Sequence, residues 1–219
     1  MAFWFERPAG FQFKAGQAVV LELLAPAAEG QKRRTFSLVS APYEERLTIA
    51  TRVRDSGYKA ALRALPEGAL VKLIGPMGRF TLPTGTRPAV LIAGGIGSTP
   101  FISMLRQAAH ERSERTLVLL YTNRRPEDAA FLEELQRLEL VNRNFRMLAT
   151  MTDMDRSSRP WKGETLPIGV ELIQRAAHGL TSPLYYVVGP PGMVAATRKA
   201  LSDAGVSGDS VLTEEFYGY

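Results

Sequence analysis

The chain has 219 residues, 45% of them hydrophobic and 22% charged, enough for one large core or two smaller ones. It contains no cysteine, which excludes disulfides, cysteine-ligated iron–sulfur clusters and thiol catalysis; its two histidines, His110 and His178, fall on predicted helices and suggest no metal site. The net charge of +5 suits anionic ligands or an acidic partner, yet no basic run is interleaved with aromatics, so nucleic acid is not expected. No apolar run approaches the ~20 residues of a membrane helix, so no membrane insertion is expected. The opening Met1-Ala2-Phe3-Trp4-Phe5 is too short for a secretory signal, and the expected location is cytoplasmic.

The first part of the chain reads as β structure. Short apolar or alternating runs at 17–24, 34–39, 46–53 and 70–74 are separated by turns such as Pro66-Glu67-Gly68 and Gly75-Pro76-Met77-Gly78. One short helix, 56–65, interrupts them. Strands at this spacing predict a small antiparallel barrel. Pro83-Thr84-Gly85-Thr86-Arg87-Pro88 is a linker by composition, which divides the chain into domains at 1–85 and 86–219.

After the linker the period changes. Residues 89–93 are apolar without alternation, which suits a strand buried on both faces. Three glycines follow within four positions, and then a helix over 101–109, with Thr99 as its N-cap and Pro100 at the first helical position. Next come a strand at 117–121, a helix at 127–140 with Pro126 at its start, and a strand at 145–150. A long polar loop runs to Pro167, followed by a helix at 170–177, a strand at 184–188, a helix at 193–204 and a strand at 210–212. Strands alternating with helices predict an α/β doubly wound parallel sheet with its ligand at the C-terminal strand ends.

Several stretches carry candidate chemistry. The strand–glycine–helix turn at 94–100 aims backbone N–H groups and a positive helix end at one point, which suits a phosphate, although such turns also occur without a ligand. Its Gly95-x-Gly97-x-x-Pro100 spacing has proline where the usual dinucleotide fingerprint has a third glycine. In Arg34-Thr35-Phe36-Ser37, alternation puts Arg34 and Phe36 on one side, an anion clamp beside an aromatic platform; read alone, this is an ordinary strand with one surface arginine. Ser56-Gly57-Tyr58-Lys59 offers a second helix start with a lysine, or a plain cap. Gly189-Pro190-Pro191-Gly192-Met193 is a rigid turn at a later strand end. The tail Glu214-Glu215-Phe216-Tyr217-Gly218-Tyr219 either folds over the domain interface or frays.

Taken together and in this order, the motifs resemble the ferredoxin–NADP reductase family, in its compact bacterial form with flavin and nicotinamide domains only. The resemblance covers nearly the whole chain. It rests on Arg34-x-Phe36-Ser37-x-x-Ser40, Gly75-Pro76-x-Gly78-x-Phe80, Gly94-Gly95-x-Gly97-x-Thr99-Pro100, Tyr121-x-Asn123-Arg124, Gly189-Pro190-Pro191-x-Met193 and Glu215-Phe216. It implies FAD, in preference to FMN, as bound cofactor and NADH or NADPH as co-substrate. Arg34, with Thr35, would hold the flavin diphosphate, Phe36 would stack on the ring, and Ser37 would bond near its reactive nitrogen. Arg52, Val53, Ser56, Gly57 and Lys59 would continue the flavin site. Gly95, Gly97, Thr99 and Pro100 would seat the dinucleotide, with Asn123 and Arg124 at the next strand end and Gly189, Pro190 and Met193 on the facing wall. Phe216 would cover the other flavin face, and Ser37, Thr99, Glu215 and Phe216 would be the catalytic set.

The implied reaction is hydride transfer from NAD(P)H to the flavin, with electrons passing to a separate acceptor such as an acidic ferredoxin or flavodoxin. The chain departs from the family in three places. Phe36 replaces a usual tyrosine, Val188 replaces a frequent cysteine, and the strand that normally precedes the segment at 3–6 is expected to be absent, leaving an open barrel edge. The choice of NADH or NADPH stays open: Asn123-Arg124-Arg125 suits a 2′-phosphate, but Thr150-Met151-Thr152-Asp153 stands where a serine–arginine pair is common. Two other readings are an electron-transfer subunit of a larger enzyme and a non-catalytic nucleotide-binding sensory domain. The oligomeric state is not specified by the sequence.

Overall fold

The computed structural model describes residues 1–24, 32–52 and 56–217. In the N-terminal half, β1 (Ala2–Glu6) pairs antiparallel with β4 (Arg46–Ala50). The central strand β2 (Ala18–Leu23) is flanked by β3 (Arg33–Ser37) and β5 (Val71–Met77), both antiparallel. A bridge between Leu38 and Ile49 joins the two pieces. Alternation along β2 buries Val19, Leu21 and Leu23. Helix α1 (Gly57–Ala64) drives Tyr58 and Leu62 into the same core, and the Tyr58 hydroxyl donates to the Leu21 carbonyl at 2.8 Å.

The C-terminal half alternates β6 (Ala89–Gly94), α2 (Thr99–His110), β7 (Leu117–Asn123), α3 (Leu132–Val141), β8 (Phe145–Met151), α4 (Val170–Ala177), β9 (Leu184–Gly189), α5 (Pro191–Asp203) and β10 (Val211–Glu215). The five strands form one parallel sheet in the order β10-β9-β6-β7-β8. Successive side chains of β6, β7 and β9 feed opposite layers. Leu91, Leu119 and Tyr186 pack with α2 and α3, whereas Ile92, Leu120 and Val187 pack with α4 and α5. Val39, Ala50 and Phe80 of the N-terminal half join the first layer, so the two halves share one apolar core. Residues 83–88 are pinned rather than loose: the buried Arg115 guanidinium donates to the carbonyls of Pro83 (2.6 Å), Gly85 and Arg87.

Two expectations require correction. Thr99 is not the N-cap. Gly95, at φ +56°, opens a 3₁₀ turn over Gly95–Ser98 that leads straight into α2. Thr99 is therefore the first helical residue and Pro100 the second, and the Thr99 hydroxyl turns back to the Ile96 carbonyl at 3.1 Å. The helix expected over 127–140 is broken: a short turn at Pro126–Asp128 precedes α3, and Phe131 between them adopts φ +62°. The buried Tyr121 hydroxyl takes the Ala130 carbonyl at 2.7 Å, satisfying both groups without a continuous helix.

Candidate functional site

A cleft of about 840 Å³ opens where the two halves meet, within the ~300–1,000 Å³ of small-molecule sites. Strand β3 contributes Arg34, Thr35, Phe36 and Ser37 to its lining. Arg34 and Phe36 lie on one side, as strand alternation requires, and both meet Tyr58. The Phe36 ring is 6.1 Å from the Tyr58 ring and tilted by 32°, and the Arg34 guanidinium lies 5.7 Å over the same ring. Ser37 is buried.

The start of α1 supplies Ser56 and Lys59. Ser56 is the N-cap residue, but its side chain makes no capping bond, which leaves its hydroxyl available at the positive end of the helix. Gly57 is the first helical residue behind it. Beyond β4 comes Arg52, while Val53 lies outside the described residues. The C-terminal half brings Ile96 from the glycine turn, Thr99 from the start of α2, and Glu214, Glu215, Phe216 and Tyr217 from β10 and the segment after it. The Phe216 N–H bonds the Gly189 carbonyl at 3.0 Å, which ties the tail to the end of β9. As far as Tyr217 the tail is thus folded over the interface rather than frayed; Gly218 and Tyr219 lie outside the described residues.

The remaining nominated residues stand outside this lining. Gly95 sits beneath the Arg52 guanidinium: a Cβ there would lie 3.0 Å from Nη2. Gly97 is buried with its Cβ position 2.7 Å from the Val188 carbonyl oxygen, so this glycine serves the close packing of the turn on β9. Pro100 is buried in the first turn of α2. The Met193 sulfur and Pro190 lie over Gly94, and the same sulfur is 2.6 Å from the Cβ position of Gly189. Arg124 is exposed at the end of β7. Next to it Asn123 is 5% exposed, and neither its amide nitrogen nor its oxygen has a hydrogen-bond partner.

Sequence reasoning missed Glu214. With the last strand ended at 212, the tail carried no period. In the structure β10 continues to Glu215, and alternation places Leu212, Glu214 and Phe216 on the sheltered side while Glu215 is exposed. Burial pushes the Glu214 carboxyl up to about 7. The Glu215 carboxylate instead accepts the exposed Tyr217 hydroxyl at 2.5 Å.

These residues fit a bound FAD. The cations Arg34 and Lys59 and the Ser56 hydroxyl at a helix start suit a diphosphate, and Phe36 and Phe216 give aromatic faces for a planar ring. Among the described residues no group of histidine, aspartate and glutamate is arranged to hold a metal, and no helix is long and apolar enough to cross a membrane.

Residues 91–199 match the oxidoreductase NAD-binding domain family. Ferredoxin–NADP reductase B of Sorangium cellulosum is 30% identical over 97% of this chain and 89% of its own length. The reductase component of propane 2-monooxygenase from Mycolicibacterium smegmatis is 27% identical over 95% of this chain, which spans only 60% of that longer protein. Among solved structures, a ferredoxin NADP⁺ reductase from Neisseria gonorrhoeae with bound FAD and NADP superposes with a TM-score of 0.79 at 26% identity, covering 99% of this chain and 92% of that one. With the cleft, the two-part fold and the Sorangium relative in agreement, the chain belongs to the ferredoxin–NADP reductase family of NAD(P)H-dependent flavoprotein oxidoreductases.

Proposed function

We propose that this chain binds FAD in the interdomain cleft, accepts a hydride from NADH or NADPH, and passes the electrons to a separate acceptor protein. The observation that carries this reading is the convergence on one cleft of β3, the start of α1, the glycine turn before α2 and the tail after β10. FAD, when bound, supplies hydride acceptance and one-electron release; the protein supplies binding and orientation.

Arg34 and Lys59 balance the diphosphate charge, with Ser56 and Gly57 adding the helix end. Phe36 and Phe216 sandwich the ring system, and Phe216 must swing away to admit the nicotinamide. Buried Ser37 offers a hydroxyl to the ring edge, and Glu214, whose carboxyl burial pushes up to about 7, stores or releases a proton beside it. Arg52 and Thr99, with Gly95 beneath Arg52, form the nicotinamide side, and Asn123 and Arg124 extend it toward the adenosine end. Gly97, Pro100, Gly189, Pro190 and Met193 shape that crevice from behind. We assign the proton-handling role to Glu214 rather than Glu215, because Glu214 is the sheltered carboxyl.

An acidic ferredoxin or flavodoxin suits the net charge of +5. The propane 2-monooxygenase reductase component supports a second reading, in which the chain feeds electrons to an oxygenase component of a larger system. Anaerobic addition of NADH and then NADPH to the flavin-loaded protein tests the core of the proposal. Rapid bleaching of the flavin absorbance supports it, and the faster nucleotide names the physiological donor. Flavin that stays oxidised with both would sink the proposal.

A further inference from the structure

Helix α2 carries a polar stripe that the cleft does not explain. Thr99, Ser103, Arg106 and His110 are spaced by four, three and four residues and so lie along one face of the helix. The first lines the cleft. The other three dock on residues 39–44, the segment that continues directly from β3. Ser103 Oγ, fully buried, donates to the Ser40 carbonyl at 2.7 Å. Arg106 Nη1 donates to the Val39 carbonyl at 3.4 Å and to the Glu44 carboxylate at 3.2 and 3.3 Å. The His110 and Tyr43 rings stack at 3.9 Å with an 11° tilt. Arg106 is braced from behind by Glu134 of α3, at 2.6 and 3.0 Å.

Apolar packing alone leaves a helix some freedom to slide along its axis, whereas directional bonds to fixed carbonyls specify one register. Here the bonds join the first residues beyond the Phe36–Ser37 end of β3 to the first three turns of the helix that starts at Thr99. Hydride transfer needs reacting atoms about 3–3.5 Å apart, and a displacement of about 1 Å costs about 100-fold in rate.

We infer that Ser103 and Arg106 are positioning residues for hydride transfer: docked on Val39, Ser40 and Glu44, they set the offset between the flavin strand and the nicotinamide turn. The inference rests on the functional reading given above. Glu44 lies across the interface and Glu134 in the same half as Arg106, so the two carboxylates separate clamping from plain stability.

The test compares R106M, S103A, E44Q and E134Q. R106M slows flavin reduction by about 10- to 100-fold, and S103A and E44Q slow it by about three- to tenfold, while flavin content and nucleotide KM stay within about twofold. E134Q lowers the thermal midpoint and slows reduction less than E44Q does, because the Ser103 bond across the interface stays in place. Residual dipolar couplings of the apoprotein, which report the orientation of the barrel relative to the parallel sheet, shift in R106M and E44Q and less in E134Q. If R106M fails to fold, S103A and E44Q carry the same comparison. Unchanged couplings and rates in the interface variants overturn the clamp. A parent protein that takes no hydride from either nucleotide overturns the functional reading, and the inference with it.

Discussion

The Arg52 guanidinium, on the loop after β4, donates to the Asp128 carbonyl at 3.1 Å and lies against Gly95, so a side chain of the N-terminal half reaches the glycine turn of the other. Incoming dinucleotide offers that cation a better partner than a neutral carbonyl, since a phosphate carries the opposite charge and can take the guanidinium in a bidentate grip. R52A is therefore expected to raise the nucleotide KM about tenfold and to reduce flavin retention less. Steady-state kinetics beside the flavin-to-protein absorbance ratio measure both. A KM equal to that of the parent would remove Arg52 from the nucleotide side.

Arg34 stands between a structural and a binding role, because its guanidinium already lies over Tyr58. Cation–π contacts at partly exposed sites contribute about 0.5–1 kcal/mol, so losing that one contact in R34A should cost about that much apoprotein stability. Flavin retention should fall much further, by about tenfold or more, since an anion clamp is lost. Denaturant titration of the apoprotein and flavin content after gel filtration separate the two. Equal flavin content in mutant and parent argues against the assignment.

Glu214 gives a pH dependence whose sign is fixed. Burial raises its pKa from 4.5 to about 7. Within that window the folded chain keeps a proton that the unfolded chain releases, so stability falls as pH rises from about 4.5 to about 7 and levels off above it. E214Q should flatten this slope and gain stability relative to the parent above the window. Apoprotein thermal midpoints across the window check it, and parallel curves for the two proteins contradict it. The same substitution should remove a pH dependence near neutrality from the rate of electron delivery.

The two glycines Gly97 and Gly192 should respond oppositely to alanine. At Gly97 the added Cβ meets the Val188 carbonyl oxygen at 2.7 Å, a backbone atom that moves only with β9. G97A should cost about 2–3 kcal/mol and distort the turn. At Gly192, in the first turn of α5, nothing lies within 4 Å of the new atom, and G192A should be neutral or stabilising by up to about 1 kcal/mol. Thermal unfolding of the pair decides; a tolerated G97A would mean the turn relaxes.

Arg115 should matter for the linker alone. R115M keeps most of the apolar volume but leaves the carbonyls of Pro83, Gly85 and Arg87 without their donor. A loss of about 3 kcal/mol or more is expected, with faster proteolysis within residues 83–88. Cleavage at the parental rate would show that the linker is held by other means.

Apart from β1, which no run marked in the sequence, the strands and helices of this chain were legible because local pattern carries them. The unalternating run at 89–93 could only be buried on both faces, and the turns rich in proline and glycine marked where each strand stopped. The antiparallel sheets followed by a parallel one came from the change of period after the linker. Strand alternation also paired Arg34 with Phe36, and that pairing holds in the cleft. Local pattern failed where a distant partner set the geometry. The helix expected at 127–140 is interrupted at Phe131, at φ +62°, where the Tyr121 hydroxyl of β7 donates to the Ala130 carbonyl, a contact between elements that the period of 127–140 alone does not show. The role of Glu214 was hidden because its shelter depends on how far β10 pairs with β9.

Charge, composition and period thus determined the kinds of element and the absence of thiol chemistry, since these follow from residue type and near neighbours. Only the tertiary structure decided which glycine faces a cation and which a carbonyl, which of two adjacent glutamates is sheltered, and how α2 docks on the segment after β3. Each of those outcomes depends on contacts between residues tens of positions apart, and a single chain read in order holds no record of them.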